Sequence, residues 1–176
     1  MSTTAVQIPA GSFTLDAAHS DASFAVKHTV ATFRGSFDEV DATLVNADGE
    51  TELTGIVKAD SIHVRQDDLG GHLKSAEFFD VATYPEIRFE SSDLRVSEDG
   101  TLEVTGELTI RDTTKTVEGK GLVTEPGVGF DGALRFGVDL ETVVDRNEFG
   151  LTWNAPLPNG KNILGDDVTI AVHLEF

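Results

Sequence analysis

The sequence predicts an all-β fold, an antiparallel barrel of about eight strands, on three observations. Apolar and polar residues alternate with period two in run after run, as in strands with one buried face. Tight-turn motifs separate the runs: Asn46-Ala47-Asp48-Gly49, Glu98-Asp99-Gly100, Pro126-Gly127 and Asp131-Gly132. The run from Leu102 to Ile110 alone spans roughly 30 Å at about 3.3 Å per residue, long enough for a deep barrel.

Along the chain, Phe24 and Val26 share one face of an early strand, and Phe33, Gly35 and Phe37 one face of the next. Leu53, Gly55 and Val57 repeat the pattern. In the run after Gly100, Leu102, Val104, Gly106, Leu108 and Ile110 point one way and Glu103, Thr105, Glu107 and Thr109 the other. Leu134, Phe136 and Val138 follow, and Val168, Ile170, Val172, Leu174 and Phe176 end the chain. Gly35, Gly55, Gly106, Gly119 and Gly121 all fall on the inward parity. Such glycines either mark bends and bulges or leave the interior open, and an eight-stranded barrel has room for one small ligand when its interior is not filled. So many on one parity favour a cavity.

One stretch, DDLGGHLKSAEFFDVATYP at residues 67–85, breaks the alternation. Gly70-Gly71 is expected to release the chain from a strand. His72 to Phe79 then forms two helical turns, with Leu73, Ala76 and Phe79 on one face and Phe78 at its margin. Tyr84-Pro85 ends the excursion, because the residue before proline avoids helix. This short helical segment near 70–80 is read as a lid across one end of the barrel. Residues 1–10 are expected to be a flexible N-terminal segment and 11–176 one barrel domain.

Charge narrows the partners. Against 31 acidic residues stand 13 basic ones, a net charge of −18. That field repels phosphate backbones over a Debye length of about 8 Å, so nucleic acid is not an expected partner. No apolar run approaches the roughly 18 residues of a membrane span. The opening MSTTAVQIPA has neither the basic nor the apolar region of a signal peptide, which points to the cytoplasm. The chain has no cysteine, which excludes disulfides and thiolate chemistry.

Chemical motifs are sparse. His19, His28, His63, His72 and His173 are dispersed, without metal-ligand spacing. Asp16, His19 and Ser20 sit together at a turn, where Asp and Ser bond backbone groups, with no oxyanion site to make a triad. GVGFDG, from Gly127 to Gly132, leads into a strand rather than the helix a dinucleotide site needs. DRNEFG, from Asp145, places Phe149 and Pro156 where a calcium loop needs oxygen ligands. His28, inward with Val26, is read either as a buried imidazole bonded to backbone or as a polar contact to a ligand.

Four motifs in order resemble the YceI-like family, the lipocalin-like polyisoprenoid-binding proteins. They are FTLDAAHSDASFAVKHTVATFRGSF from Phe13, HLKSAEFFDVATYPEIRFES from His72, GELTIRDTTKTV from Gly106, and DRNEFGL with GDDVTIAVHLEF at the end. The resemblance covers Phe13 to Phe176. It implies an extended eight-stranded barrel whose apolar tunnel binds long prenyl chains or related amphiphiles, without an established reaction.

Residue pattern and resemblance together nominate a tunnel lined by Phe24, Val26, Phe33, Phe37, Leu108, Ile110, Leu134, Phe136, Ile170 and Val172. Phe78, Phe79 and Tyr84 would shape its mouth, and Arg65, His72 and Lys74 would meet a head group. Arg111, Lys115 and Arg146 are further cations, each either a partner for an anionic head or, the more ordinary reading, a solvated surface charge. The net charge favours a neutral isoprenoid such as a quinone over a polyprenyl pyrophosphate. The expected protein is therefore a binder or carrier with no catalytic residue, no metal and no cofactor beyond the bound lipid or quinone. A second copy of the chain, in a homodimer, is the protein partner this reading allows. Two alternatives differ in class: a stress-related structural or partner-binding barrel without a ligand, and an enzyme acting on its bound lipid.

Overall fold

The alternating runs pair into one antiparallel sheet of eleven strands that curls around an apolar interior. The structure, a computed structural model, describes residues 5–176. Along the sheet the order is β1 (Gly11–Thr14), β4 (Val40–Ala47), β5 (Glu50–Lys58), β7 (Glu86–Val96), β8 (Thr101–Ile110) and β9 (Thr113–Val123), then β12 (Gly137–Asp145), β13 (Leu164–Glu175), β2 (Asp21–His28), β3 (Ala31–Phe37) and β6 (Ile62–His63). A separate hairpin joins β10 (Gly127–Val128) to β11 (Leu134–Arg135). Nine of these strands have seven or more residues, against about eight expected; β3 and β4 are separated only by Asp38-Glu39 and form one bent run. The additional strands are short accessories of two to four residues.

The bend closes the barrel. β3 pairs with β2, turns a corner at Asp38-Glu39, and continues as β4 against β5. The turn at Ala59–Ser61 latches this corner: Asp38 N–H donates to the Ser61 carbonyl at 3.1 Å and Glu39 N–H to the Ser61 hydroxyl at 3.0 Å. At one end of the seam β1 pairs with β4, and Asp16 N–H reaches the Glu175 carbonyl of β13 at 2.8 Å. At the other end lie β6 and helix α1 (Asp67–Lys74).

The two ends differ in packing. At the β1 end, Leu44, Leu102, Val138, Phe136 and Phe176 form a solid cluster, with Phe13 edge-on to Phe136 at 5.0 Å and Phe176 stacked on it at 5.6 Å. Ile8 is buried in this cluster and Val6 N–H bonds the Glu98 carbonyl, so the packed domain begins before residue 11. Residues 1–4 of the expected N-terminal segment lie outside the described residues. The opposite end gathers α1, the β8–β9 turn and the loop between β12 and β13.

The helix starts earlier than the sequence suggests. Asp67 and Asp68 occupy its first turn, where the positive end of the helix dipole favours carboxylates. Gly70 and Gly71 are thereby inside it. The Ser75 hydroxyl donates to the His72 carbonyl at 2.6 Å and ends it. Its apolar stripe is the buried Leu73 and the half-buried Leu69, one turn apart, while Ala76 is exposed. Phe78 and Phe79 enter the core from the turn that follows.

Candidate functional site

Between the packed end and the helix lies an apolar cavity of about 300 Å³, at the lower end of the range of about 300–1,000 Å³ for small-molecule sites. β2 and β3 supply Phe24, Val26, Phe33 and Phe37; β8 supplies Val104, Leu108 and Ile110; β13 supplies Val168, Ile170 and Val172. The expected lining residues of those strands thus converge. Leu134 and Phe136 do not: Leu134 is 45% exposed on β11, and Phe136 is locked between Phe13 and Phe176 at the packed end. Parity tells which face of a sheet a residue takes, not how far along the barrel it sits.

The glycines behave in two ways. Gly55 and Gly119 line the cavity, and a Cβ at Gly55 would meet nothing nearer than the Asp41 carbonyl at 3.8 Å. At Gly35 and Gly106 the vacated space is taken: a Cβ would fall 2.4 Å from the Phe24 ring and 2.5 Å from the Phe89 ring. Gly121 marks a close strand approach, with the Asp139 carbonyl 1.6 Å from the Cβ position. Most of the inward glycines therefore accommodate the protein's own rings and backbone.

An aromatic cluster closes the helix end. His72 stands edge-on to Phe78 at 5.0 Å and to Trp153 at 4.7 Å, and Phe79 packs edge-on to Phe37 at 5.7 Å. His72, Phe78 and Phe79 line the cavity, and His72 also bonds the Glu77 carboxylate. Of the other expected mouth residues, Lys74 turns away to pair with Asp60 at 3.3 Å, Tyr84 lies beneath the Arg111 guanidinium at 5.6 Å, and Arg65 is exposed outside the lining. His28 is on the rim of the cavity and exposed, not buried. It sits where β13 bulges between Leu164 and Val168, at the open end of β2.

The sequence reading missed the wall contributed by the β12–β13 loop: Arg146, Phe149, Leu151, Trp153 and Ile163. Phe149, Leu151 and Trp153 do alternate, which is the signal that was there to read. Arg146 is 4% exposed. Its Nε donates to the Gly165 carbonyl at 2.8 Å, and its Nη1 to those of Leu151 at 2.6 Å and Trp153 at 2.8 Å. Burial pushes its pKa down, opposed by the charges of Asp166 and Asp145.

At the packed end, Asp16 accepts from His19 Nδ1 at 2.9 Å and pairs with Arg135 at 3.2 Å; Glu175 completes the cluster. The bond to Asp16 and its charge raise the His19 pKa and lower that of Asp16. The Ser20 hydroxyl donates to the Asp16 carbonyl at 2.7 Å and accepts from Glu175 N–H at 3.0 Å. Its proton is directed at backbone rather than at His19, so the trio is a structural tie. Likewise GVGFDG is the β10–β11 hairpin, and DRNEFG forms a short 3₁₀ turn ended by Gly150 at φ +78°.

A curled antiparallel barrel, solid at one end, capped at the other and hollow between, defines the lipocalin-like class. The chain belongs to the YceI-like family, whose domain matches residues 13–176. It is 32% identical over 172 residues to a UPF0312 protein of Staphylococcus aureus (strain bovine RF122 / ET3-1), covering 93% of this chain and 96% of that one. Among solved structures it resembles BcnA of Burkholderia cenocepacia, with a TM-score of 0.77 at 22% identity over 92% of this chain and 99% of that chain. It also resembles a polyisoprenoid binding domain from Saccharophagus degradans, with a TM-score of 0.70 at 17% identity, covering 92% and 95%. None of the described helices is long and apolar enough to cross a membrane.

Proposed function

We propose that this protein binds and carries, or sequesters, an isoprenoid or related amphiphilic lipid in the barrel cavity, and that it performs no chemistry on it. The observation that carries the reading is the cavity itself, walled by aliphatic and aromatic side chains from strands that meet only in the folded barrel. Each methylene buried there contributes about 0.8 kcal/mol, so a prenyl tail gains affinity without an elaborate polar site. The name of the Saccharophagus degradans neighbour supports the ligand class, and the net charge of −18 supports a neutral head. The committed arrangement of Ser20, away from His19, supports binding over hydrolysis.

The test is extraction of the purified protein with organic solvent and mass spectrometry of the extract, together with titration of added quinone and polyprenol. A stoichiometric co-purifying lipid or saturable uptake is the expected result. Repeated absence of lipid with no uptake of either compound overturns the reading.

A further inference from the structure

Arg146 is the one buried charged side chain among the described residues. A guanidinium carries five N–H donors. Nε gives its hydrogen to Gly165, and Nη1 gives both of its own to Leu151 and Trp153. The two hydrogens of Nη2 have no partner among the described residues, and solvent does not reach this nitrogen. Buried donors are nearly always paired, and buried cations the more so. Arg146 and the two neighbours whose carbonyls it holds, Leu151 and Trp153, all belong to the cavity wall. An unspent donor thus lies just behind the surface of a mainly apolar chamber, whose lining also includes the polar side chains of His72 and His28.

What remains of the guanidinium limits what it can grip. Two parallel bonds to a carboxylate or phosphate need hydrogens on two neighbouring nitrogens. Here Nε and Nη1 are fully committed to backbone, leaving a single nitrogen. Such a donor suits one acceptor oxygen. A carbonyl on a quinone, amide or ester provides that oxygen without bringing a negative charge into a chain of net charge −18.

We propose that Arg146 Nη2 is the head-group anchor of the cavity, donating to a carbonyl oxygen of a neutral ligand whose tail runs toward Leu53 and Leu174. This deepens the lipid-binding reading and rests on it. It fixes the ligand's direction: head beside Trp153 at the capped end, tail toward the packed end. Because solvent does not reach Nη2, an arriving carbonyl displaces part of the wall. Trp153, the only tryptophan of the chain, reports it.

The experiment titrates the wild-type protein with three probes of equal tail: a benzoquinone bearing a decyl chain, decylbenzene and undecanoate. Quenching of Trp153 follows the quinone, and calorimetry follows all three. Without a donor, the more polar quinone binds more weakly than the hydrocarbon. With the proposed contact it binds at least about ten-fold more tightly, a ratio equivalent to about 1.4 kcal/mol. Arg146→Met is expected to abolish that preference, the ratio of quinone to decylbenzene affinity falling to one or below whatever happens to the two affinities themselves. Should this variant fail to fold, the wild type decides: one carbonyl stretch of bound, isotope-labelled quinone must move to lower frequency in the infrared. Equal or tighter binding of decylbenzene, or an unshifted stretch, overturns the anchor while leaving the cavity reading standing. Undecanoate binding tightest overturns the neutral head. No binding of any probe overturns the cavity reading with it.

Discussion

Gly55→Leu tests whether the cavity is the binding site without touching any polar group. Gly55 faces the cavity from β5, and a Cβ there has only the Asp41 carbonyl in van der Waals range, at 3.8 Å. A leucine therefore extends into open space rather than into its neighbours. It places roughly four carbons where a ligand tail would lie, and at about 0.8 kcal/mol per methylene displaced the loss is about 3 kcal/mol. That corresponds to roughly a hundred-fold weaker binding. Folding stability should hold or rise, because the strand loses a glycine and the cavity gains apolar atoms. The assay is quenching of Trp153 by an added alkyl quinone, with urea unfolding as the control on the fold. Unchanged affinity in a stable Gly55→Leu protein would show that ligand lies elsewhere, and the account of the cavity would fall.

Three further outcomes follow from the same packing. Leu102→Ala, at a 0% exposed position in the packed end, should cost about 4 kcal/mol, against about 2 kcal/mol for Leu108→Ala at the cavity wall, where one side already lacks partners; urea denaturation measures both, and the reverse order would mean the cavity is filled by protein. Gly121→Ala should destabilise by about 3 kcal/mol or more, since the Asp139 backbone lies 1.6 Å from the new Cβ; a neutral result in thermal unfolding would contradict the strand approach. The His19–Asp16 tie should make stability pH-dependent with a defined sign. The raised His19 pKa places its contribution below the ordinary 6.5, lost as pH rises through the folded value. The lowered Asp16 pKa places its share above the ordinary 3.8, lost as pH falls through its folded value. The melting-temperature gap between wild type and His19→Ala should therefore be widest between the ordinary values of about 3.8 and 6.5, and should close as pH rises through the raised His19 value. A gap that widens toward alkaline pH would refute the tie.

How much of this was legible depends on how local the cause is. Period-two alternation placed Leu108, Ile110, Ile170 and Val172 on the cavity face, because the pleat alone decides which side a strand residue takes. The same rule placed Leu134 and Phe136 there wrongly, since depth along the barrel is set by strand stagger, which parity does not encode. The helix was visible but shifted. Gly70 and Gly71, expected to precede it, sit inside it, between Asp67 and Asp68 at its start and Ser75 at its end. Arg146 was the least legible. An arginine is expected at the surface, and nothing near it in sequence says otherwise. Its burial is made by carbonyls 5, 7 and 19 residues further on, which only the fold brings around it.

The rings that lean over Gly35 and Gly106 explain how the barrel stays hollow. Phe24 pairs across the ladder with Gly35, and without a Cβ opposite, its ring tips sideways onto the next strand instead of into the lumen. Phe89 does the same over Gly106. The glycines thus open the interior indirectly, by letting large side chains lie along the wall. Hollowness has an energetic consequence. At about 24 cal/mol per Å³ of void, a cavity of about 300 Å³ forgoes about 7 kcal/mol relative to a filled core. That is comparable to the whole net stability of a domain, about 5–15 kcal/mol. The solid end and the aromatic cap must therefore hold the fold together around an interior that gains by being filled, and a molecule that fills it draws on the stabilisation the empty barrel lacks.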